Sequence, residues 1–290
     1  MATQSWSTRM RHDSDVFFRE WGSELSAKLA AAGLVQTADT GQINWITVVR
    51  GASPSDSGYE IYKLNDALVT SAPVFFRIDY GTGTSGTSSP RIRITVGTST
   101  DGAGVLGGTA LSAANLIGNY NGSMASDTAR VSYLCVTEGF FGLNHKVNPG
   151  TGGEGCFLFS RTVNSSGVPT VTGSLVIWGT GSTQFQSFRY AATAAAYTLR
   201  ISPSTAEVCL FPNTPTSSIV GANNQAYLVW TITPQVAPLL SVCGVVISEV
   251  GLGSTFSATL VGTTPHTYIG LDTEYSIEGS NGLRPVMLWE

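Results

Sequence analysis

The sequence predicts a mostly β protein: an antiparallel β-sandwich or jelly-roll-like body carrying one N-terminal amphipathic helix. Three observations lead there. Asp, Glu, Lys and Arg make up only 12% of the 290 residues, about half the share found in an ordinary soluble domain, and solvent-facing helices draw heavily on Glu, Lys and Arg. Glycine contributes 33 residues, and with Ser, Thr, Asn and Pro it separates short apolar runs along the chain, as turns separate strands. One stretch alone repeats its apolar residues at a helical period, whereas others alternate with a period of two.

The helical stretch spans 14–32. Phe17, Trp21, Leu25 and Leu29 recur every four positions there, with Phe18 and Ala32 beside the stripe. Asp13 or Ser14 can accept hydrogen bonds from the free N–H groups of the first turn, and Gly33 stands where a left-handed C-terminal cap is wanted. An apolar stripe must be covered. The chain's own sheet is one cover; contact with another subunit is the other, which makes Phe17, Trp21, Leu25 and Leu29 candidate assembly contacts.

After Gly33 the period changes. Val74, Phe76, Ile78 and Tyr80 alternate with Phe75, Arg77 and Asp79; beyond the turn GTGTSGTSSP, Ile92, Ile94 and Val96 alternate with Arg91, Arg93 and Thr95. This pattern predicts a hairpin with a long polar tip. Further strands are expected at 131–137, 156–162, 173–178, 197–202, 207–211, 226–233, 239–248, 255–261 and 266–271. The glycine-dense TSTDGAGVLGG suggests a boundary near residue 108, and 110–117 has the text of a short helix. The expected organisation is an arm and helix at 1–38, a β region at 39–108 and a β-sandwich region at 109–290, with 39–290 also acceptable as a single domain. No unit repeats at a fixed period, which disfavours a solenoid or propeller.

Composition also excludes function classes. A net charge of −4 supplies no broad positive field for nucleic acid. The longest apolar stretch, 237–250, is interrupted by Pro238, Ser241, Gly244, Ser248 and Glu249 and falls short of the roughly 20 residues a spanning helix needs. No apolar run follows the basic residues near the N-terminus, so folding in a cytosol is expected. Cys135, Cys156, Cys209 and Cys243 form no CxxC pair, which removes zinc-ligand spacing and leaves buried thiols as the expectation.

The motifs that invite chemistry lack its context. Gly81, Gly83 and Gly86 fit GxGxxG, as do Gly102, Gly104 and Gly107, but a dinucleotide site needs a strand, the glycine turn and then a helix facing the pyrophosphate. The three histidines, His12, His145 and His266, have no motif-level nucleophile beside them, and His145 in GLNHKVNPG reads as a loop residue. Asp272, Glu274 and Glu278 cluster near the C-terminus as a solvated face, without EF-hand or HExxH spacing. The segments NYNGSM and GANNQAY combine a ring with amide groups, so Tyr120, Asn121, Asn224 and Tyr227 are candidate glycan contacts. No catalytic, metal-binding or cofactor-binding residue is expected, and no cofactor.

One block is more distinctive. The run FFREWGSELSAKLAAAGLVQTADTGQINW at 17–45, followed by YEIYKLND, FRIDYGTG and RIRITVGTSTDGAG, resembles a family of tailed-bacteriophage virion structural proteins associated with the tail module. The resemblance covers about residues 15–108. It implies a virion component assembled in the bacterial host cytoplasm, placed in the tail tip, baseplate or fibre region. The implied partners are other virion proteins and further copies of the chain, for example as a trimer, with contact to a host-surface glycan as an additional role. It brings no catalytic residues with it. Capsid decoration or a head spike is the alternative location, and a glycan-binding adhesin module the alternative class.

Overall fold

The computed structural model describes residues 2–9, 13–52, 54–83, 90–108, 111–112, 129–146, 154–163, 166, 168–180, 183–190, 193–197, 218–221, 224–227, 243–247, 253–258, 265–270 and 283–289. The chain is mostly β, built from several antiparallel sheets as a sandwich-like body requires, and one helix is present among the described residues. It divides into two compact units. The first comprises Met1–Val136 and Leu143–Cys156, the second Thr137–Gly142 and Phe157–Glu290.

The first unit begins with β1 (Thr3–Arg9) and α1 (Asp15–Ala32). α1 matches the predicted helix to within one residue. The Ser14 hydroxyl accepts from the Phe17 N–H at 3.3 Å, and Gly33 closes the other end at φ 108°, a conformation that disfavours any residue with a Cβ. β2 (Leu34–Gln36), β3 (Ser55–Leu64), β4 (Phe75–Thr82), β5 (Pro90–Gly97) and β8 (Leu111–Ser112) form a five-stranded antiparallel sheet in that order. β6 (Ser99–Thr100) and β7 (Leu106–Gly107) make a two-stranded ribbon.

The predicted hairpin is β4 and β5. Its register pairs Phe76 with Val96, Ile78 with Ile94 and Tyr80 with Ile92, all buried, while Arg77, Asp79, Arg91, Arg93 and Thr95 occupy the other face. Phe18, Leu25, Leu29 and Ala32 of α1 join this core with no exposed surface. Burying such side chains contributes about 1.5–3 kcal/mol each. Gly22 weakens the helix interior by about 1 kcal/mol relative to Ala, but a Cβ there would lie 1.9 Å from the Trp45 ring, so the glycine is what lets Trp45 pack on the helix backbone.

β1 pairs antiparallel with β9 (Ala129–Thr137), from Thr3 opposite Cys135 to Arg9 opposite Ala129. The arm is thus tied to residues far along the chain, and the units do not divide at 38 or 108. Two local expectations are corrected. Within the expected helix at 110–117, the described residues Leu111 and Ser112 extend the sheet beside Thr95 and Val96. His145 lies on a strand, β10 (Phe140–Lys146), rather than in a loop.

β11 (Glu154–Val163), which enters the second unit at Phe157, β12 (Pro169–Thr180), β13 (Thr183–Tyr190) and β14 (Thr193–Tyr197) are consecutive neighbours. A six-stranded sheet runs β15 (Ser218–Gly221), β16 (Asn224–Tyr227), β17 (Cys243–Ile247), β20 (Leu283–Leu288), β19 (His266–Gly270) and β18 (Thr255–Ala258). Phe140, Phe141, Phe157 and Phe159 are buried, and the Phe141 and Phe157 rings lie 5.4 Å apart. The expected strand at 207–211 lies outside the described residues.

Candidate functional site

Three polar constellations stand out among the described residues of the first unit. The innermost centres on His145. Its Nε2 accepts the indole N–H of Trp21 at 2.8 Å, and its Nδ1 lies 2.7 Å from Ser132 Oγ. An indole nitrogen only donates, so Nε2 must carry the lone pair; the single proton of the neutral imidazole then sits on Nδ1 and is donated to Ser132. Burial pushes the pKa of His145 down to about 3, and the Trp6 ring stacks on it at 5.8 Å.

A serine and a histidine in hydrogen-bond contact resemble a nucleophile and its base. The tautomer argues otherwise, because a base that activates Ser132 must face it with a lone pair, and here it faces it with N–H. Ser132 and His145 are also without exposed surface. The cluster locks α1, β9 and β10 together within the first unit. Sequence spacing does not reveal it, since Trp21 and His145 are 124 residues apart.

The second constellation is a buried carboxylate. Glu60, 2% exposed, occupies the helix-facing side of β3. Oε1 accepts from Ser26 Oγ at 2.7 Å and Trp45 Nε1 at 3.1 Å, and Oε2 from Tyr80 OH at 2.7 Å and Tyr62 OH at 3.1 Å. Four donors satisfy both oxygens, as a buried carboxylate requires. Burial and the charge of Glu60 push the pKa values of Tyr62 and Tyr80 well up. The residues come from α1, the β2–β3 connection, β3 and β4, so Glu60 works as a joint between elements.

The third lies on the opposite face of the same sheet. Arg77 holds Asp79 through Nε at 2.9 Å and Nη2 at 2.6 Å, gives Nη1 to the Gly104 carbonyl at 2.6 Å, and lies 4.1 Å over the Tyr59 ring. Arg91 and Arg93 both reach Asp56, and Arg93 also approaches Asp79 at 3.4 Å.

The glycine motifs take other roles. Gly81 is in β4, and Gly102 and Gly104 turn the β6–β7 ribbon with φ of 79° and 104°. Asp101 bridges that turn by accepting from the Ala103 and Val105 N–H groups, which hold its pKa below the usual carboxylate range. Burial pushes Asp39 up, but hydrogen bonds from Thr100 and the Gly104 N–H outweigh it, and its pKa is lowered as well. Both motifs continue into strands among the described residues, without the helix that a pyrophosphate site requires.

Of the candidate assembly contacts, Trp21, Leu25 and Leu29 are buried in the first unit and Phe17 is half-buried. The stripe is therefore covered by its own unit, and Trp21, Leu25 and Leu29 have no surface left for a neighbouring copy. Tyr120 and Asn121 lie outside the described residues. Asn224 and Tyr227 are the two ends of β16, in register with Gly221 and Ser218 of β15, and Tyr227 is also in register with Val245 of β17. His12, Asp272, Glu274 and Glu278 lie outside the described residues, and His266 starts β19 opposite Ala258. Cys135 is buried in β9.

Among the described residues, no group of three or more His, Cys, Asp or Glu side chains is arranged to hold a metal ion, and no helix is long and apolar enough to cross a membrane. Comparison with protein-family models, with curated proteins and with solved structures finds no match.

Proposed function

We propose that this chain is a structural component of a tailed-phage virion, positioned in the tail tip, baseplate or fibre region and working by contact with other virion proteins and with copies of itself. The observation that carries the reading is the block at 15–108, whose quoted phrases resemble tail-module structural proteins. Those phrases fall on α1, β2, β3, β4, β5 and β6, among them α1, β3 and β4, which supply Ser26, Tyr62 and Tyr80 around Glu60. The likeness thus lies in residues that build a scaffold.

Two further features support it. The constellations richest in reactive groups, around His145 and Glu60, are sealed and fully engaged in bracing elements. A chain with 12% charged residues also desolvates few charges when surfaces pack together. The mechanism is shape and contact, with host-surface contact as an additional role.

The test is immunogold labelling of purified particles with an antibody against the chain, combined with mass spectrometry of separated heads and tails. Label on the tail is expected. Absence from particles removes the proposal, and label on the head moves the chain to capsid decoration or a spike. Binding on a glycan array without any label on particles would select the adhesin module.

A further inference from the structure

We propose that Arg91 and Arg93 form an oxyanion-binding edge on the outer face of the β3–β4–β5 sheet, one that takes a carboxylate or sulfate group. The register sets the arrangement. Asp56, Gly81 and Arg91 lie in one row across the three strands, with Tyr59, Asp79 and Arg93 in the next. Arg91 reaches Asp56 two strands away, and at Gly81 between them a Cβ would meet the β3 backbone at Ser55 and Asp56.

Counting charges and donors shows what this face still lacks. Three guanidinium groups, Arg77, Arg91 and Arg93, stand against two carboxylates, Asp56 and Asp79. Asp56 is thus shared by Arg91 and Arg93, and Asp79 by Arg77 and Arg93. Arg77 is spent: Nε, Nη1 and Nη2 all donate, and its face is stacked on Tyr59. Among the described residues, Arg93 engages its partners through Nη2 alone, at 2.7 Å from Asp56 and 3.4 Å from Asp79. Arg91 likewise uses only Nη2, and its Nε is sealed from water without a partner.

Among the described residues, the remaining N–H groups of these two side chains meet no acceptor. A desolvated cationic donor without a partner is unfavourable. The arginine fork matches a two-oxygen acceptor. Asp79 is 3% exposed and already committed to Arg77, whereas the Arg93 side chain is 35% exposed. An oxyanion arriving from solvent thus meets Arg93 first, with Arg91 beside it on the same face of β5. The inference does not depend on the virion reading, since any carboxylate or sulfate presented to this face would satisfy it.

The experiment uses the whole chain with 15N-labelled arginine and follows the Nε–Hε resonances during titration with sodium sulfate, and separately with sodium acetate, at ionic strength held constant with sodium chloride. The expected result is a saturable shift of Arg91 and Arg93 with at least one of the two anions while Arg77 stays in place, and an at least tenfold weaker response in Arg93→Gln. Arg93→Lys, which keeps the charge and loses the fork, is expected to weaken the response as well and serves if the glutamine variant does not fold. Absence of a saturable shift with both anions, or a parallel drift of all three arginines, overturns the proposal.

Discussion

The indole N–H of Trp21 and Nε2 of His145, 2.8 Å apart in space and 124 residues apart in sequence, fix which nitrogen of a buried imidazole carries its proton. His145 is thereby held neutral, with its pKa pushed by burial to about 3. An unfolded histidine titrates near 6.5. Between those values the unfolded chain binds a proton that the folded chain excludes, so stability falls as the pH drops through this window.

The slope of that loss is about 1.4 kcal/mol per pH unit. Urea unfolding of the parent chain at pH 7, 6, 5 and 4 should show it, and His145→Leu should flatten the curve over the same range. The groups in contact with the imidazole, Trp6, Trp21 and Ser132, are uncharged and do not titrate in this interval. Parallel curves for the two proteins would show that His145 is not the source.

Glu60 should be the costliest polar residue to remove. Glu60→Ala leaves Ser26, Trp45, Tyr62 and Tyr80 without their shared acceptor, and a loss of about 3–5 kcal/mol is expected. Tyr80→Phe removes one donor of the four and should cost about 1–2 kcal/mol. Equal losses, read from unfolding midpoints, would mean that the carboxylate does not organise the cluster.

Gly22→Ala tests sign as well as size. At an open helical position the change stabilises by about 1 kcal/mol. Here the new Cβ would meet the Trp45 ring at 1.9 Å, so the variant should be less stable and should shift the Trp45 fluorescence. A rise in melting temperature would contradict the packing of Trp45 on the helix.

Leu25→Ala distinguishes an internal stripe from an assembly contact. Leu25 has no exposed surface, so truncation should lower stability by about 2–5 kcal/mol without changing the mass of the native species measured by light scattering. A change of oligomeric state with unchanged stability would place Leu25 at a subunit contact instead.

Much of the first unit was legible because its signals are local. Ser14, the four-residue spacing from Phe17 to Leu29 and Gly33 are enough to delimit α1. Alternation through Phe76, Ile78 and Tyr80 is enough for β4. β1 was not anticipated: its TQSWSTR text has a single large apolar residue, Trp6, and becomes a strand by pairing with β9. β3 places Glu60 on the side where alternation calls for an apolar residue, a choice that only its four distant donors explain. His145 looked like part of a loop because asparagines and glycines surround it, while the contacts that make it a core residue come from Trp6, Trp21 and Ser132.

The pairing of β1 with β9 bears on the order in which the first unit is completed during synthesis. α1 and β2–β5 have all been synthesised once residue 97 is added, and their contacts with one another can form as soon as that length has left the ribosome. The partner of β1 spans Ala129–Thr137, so β1, made before the other strands of this unit, is among the last of them to find its neighbour. Until then Trp6 has no strand to pair with, and nascent chains are vulnerable to mispairing during that interval.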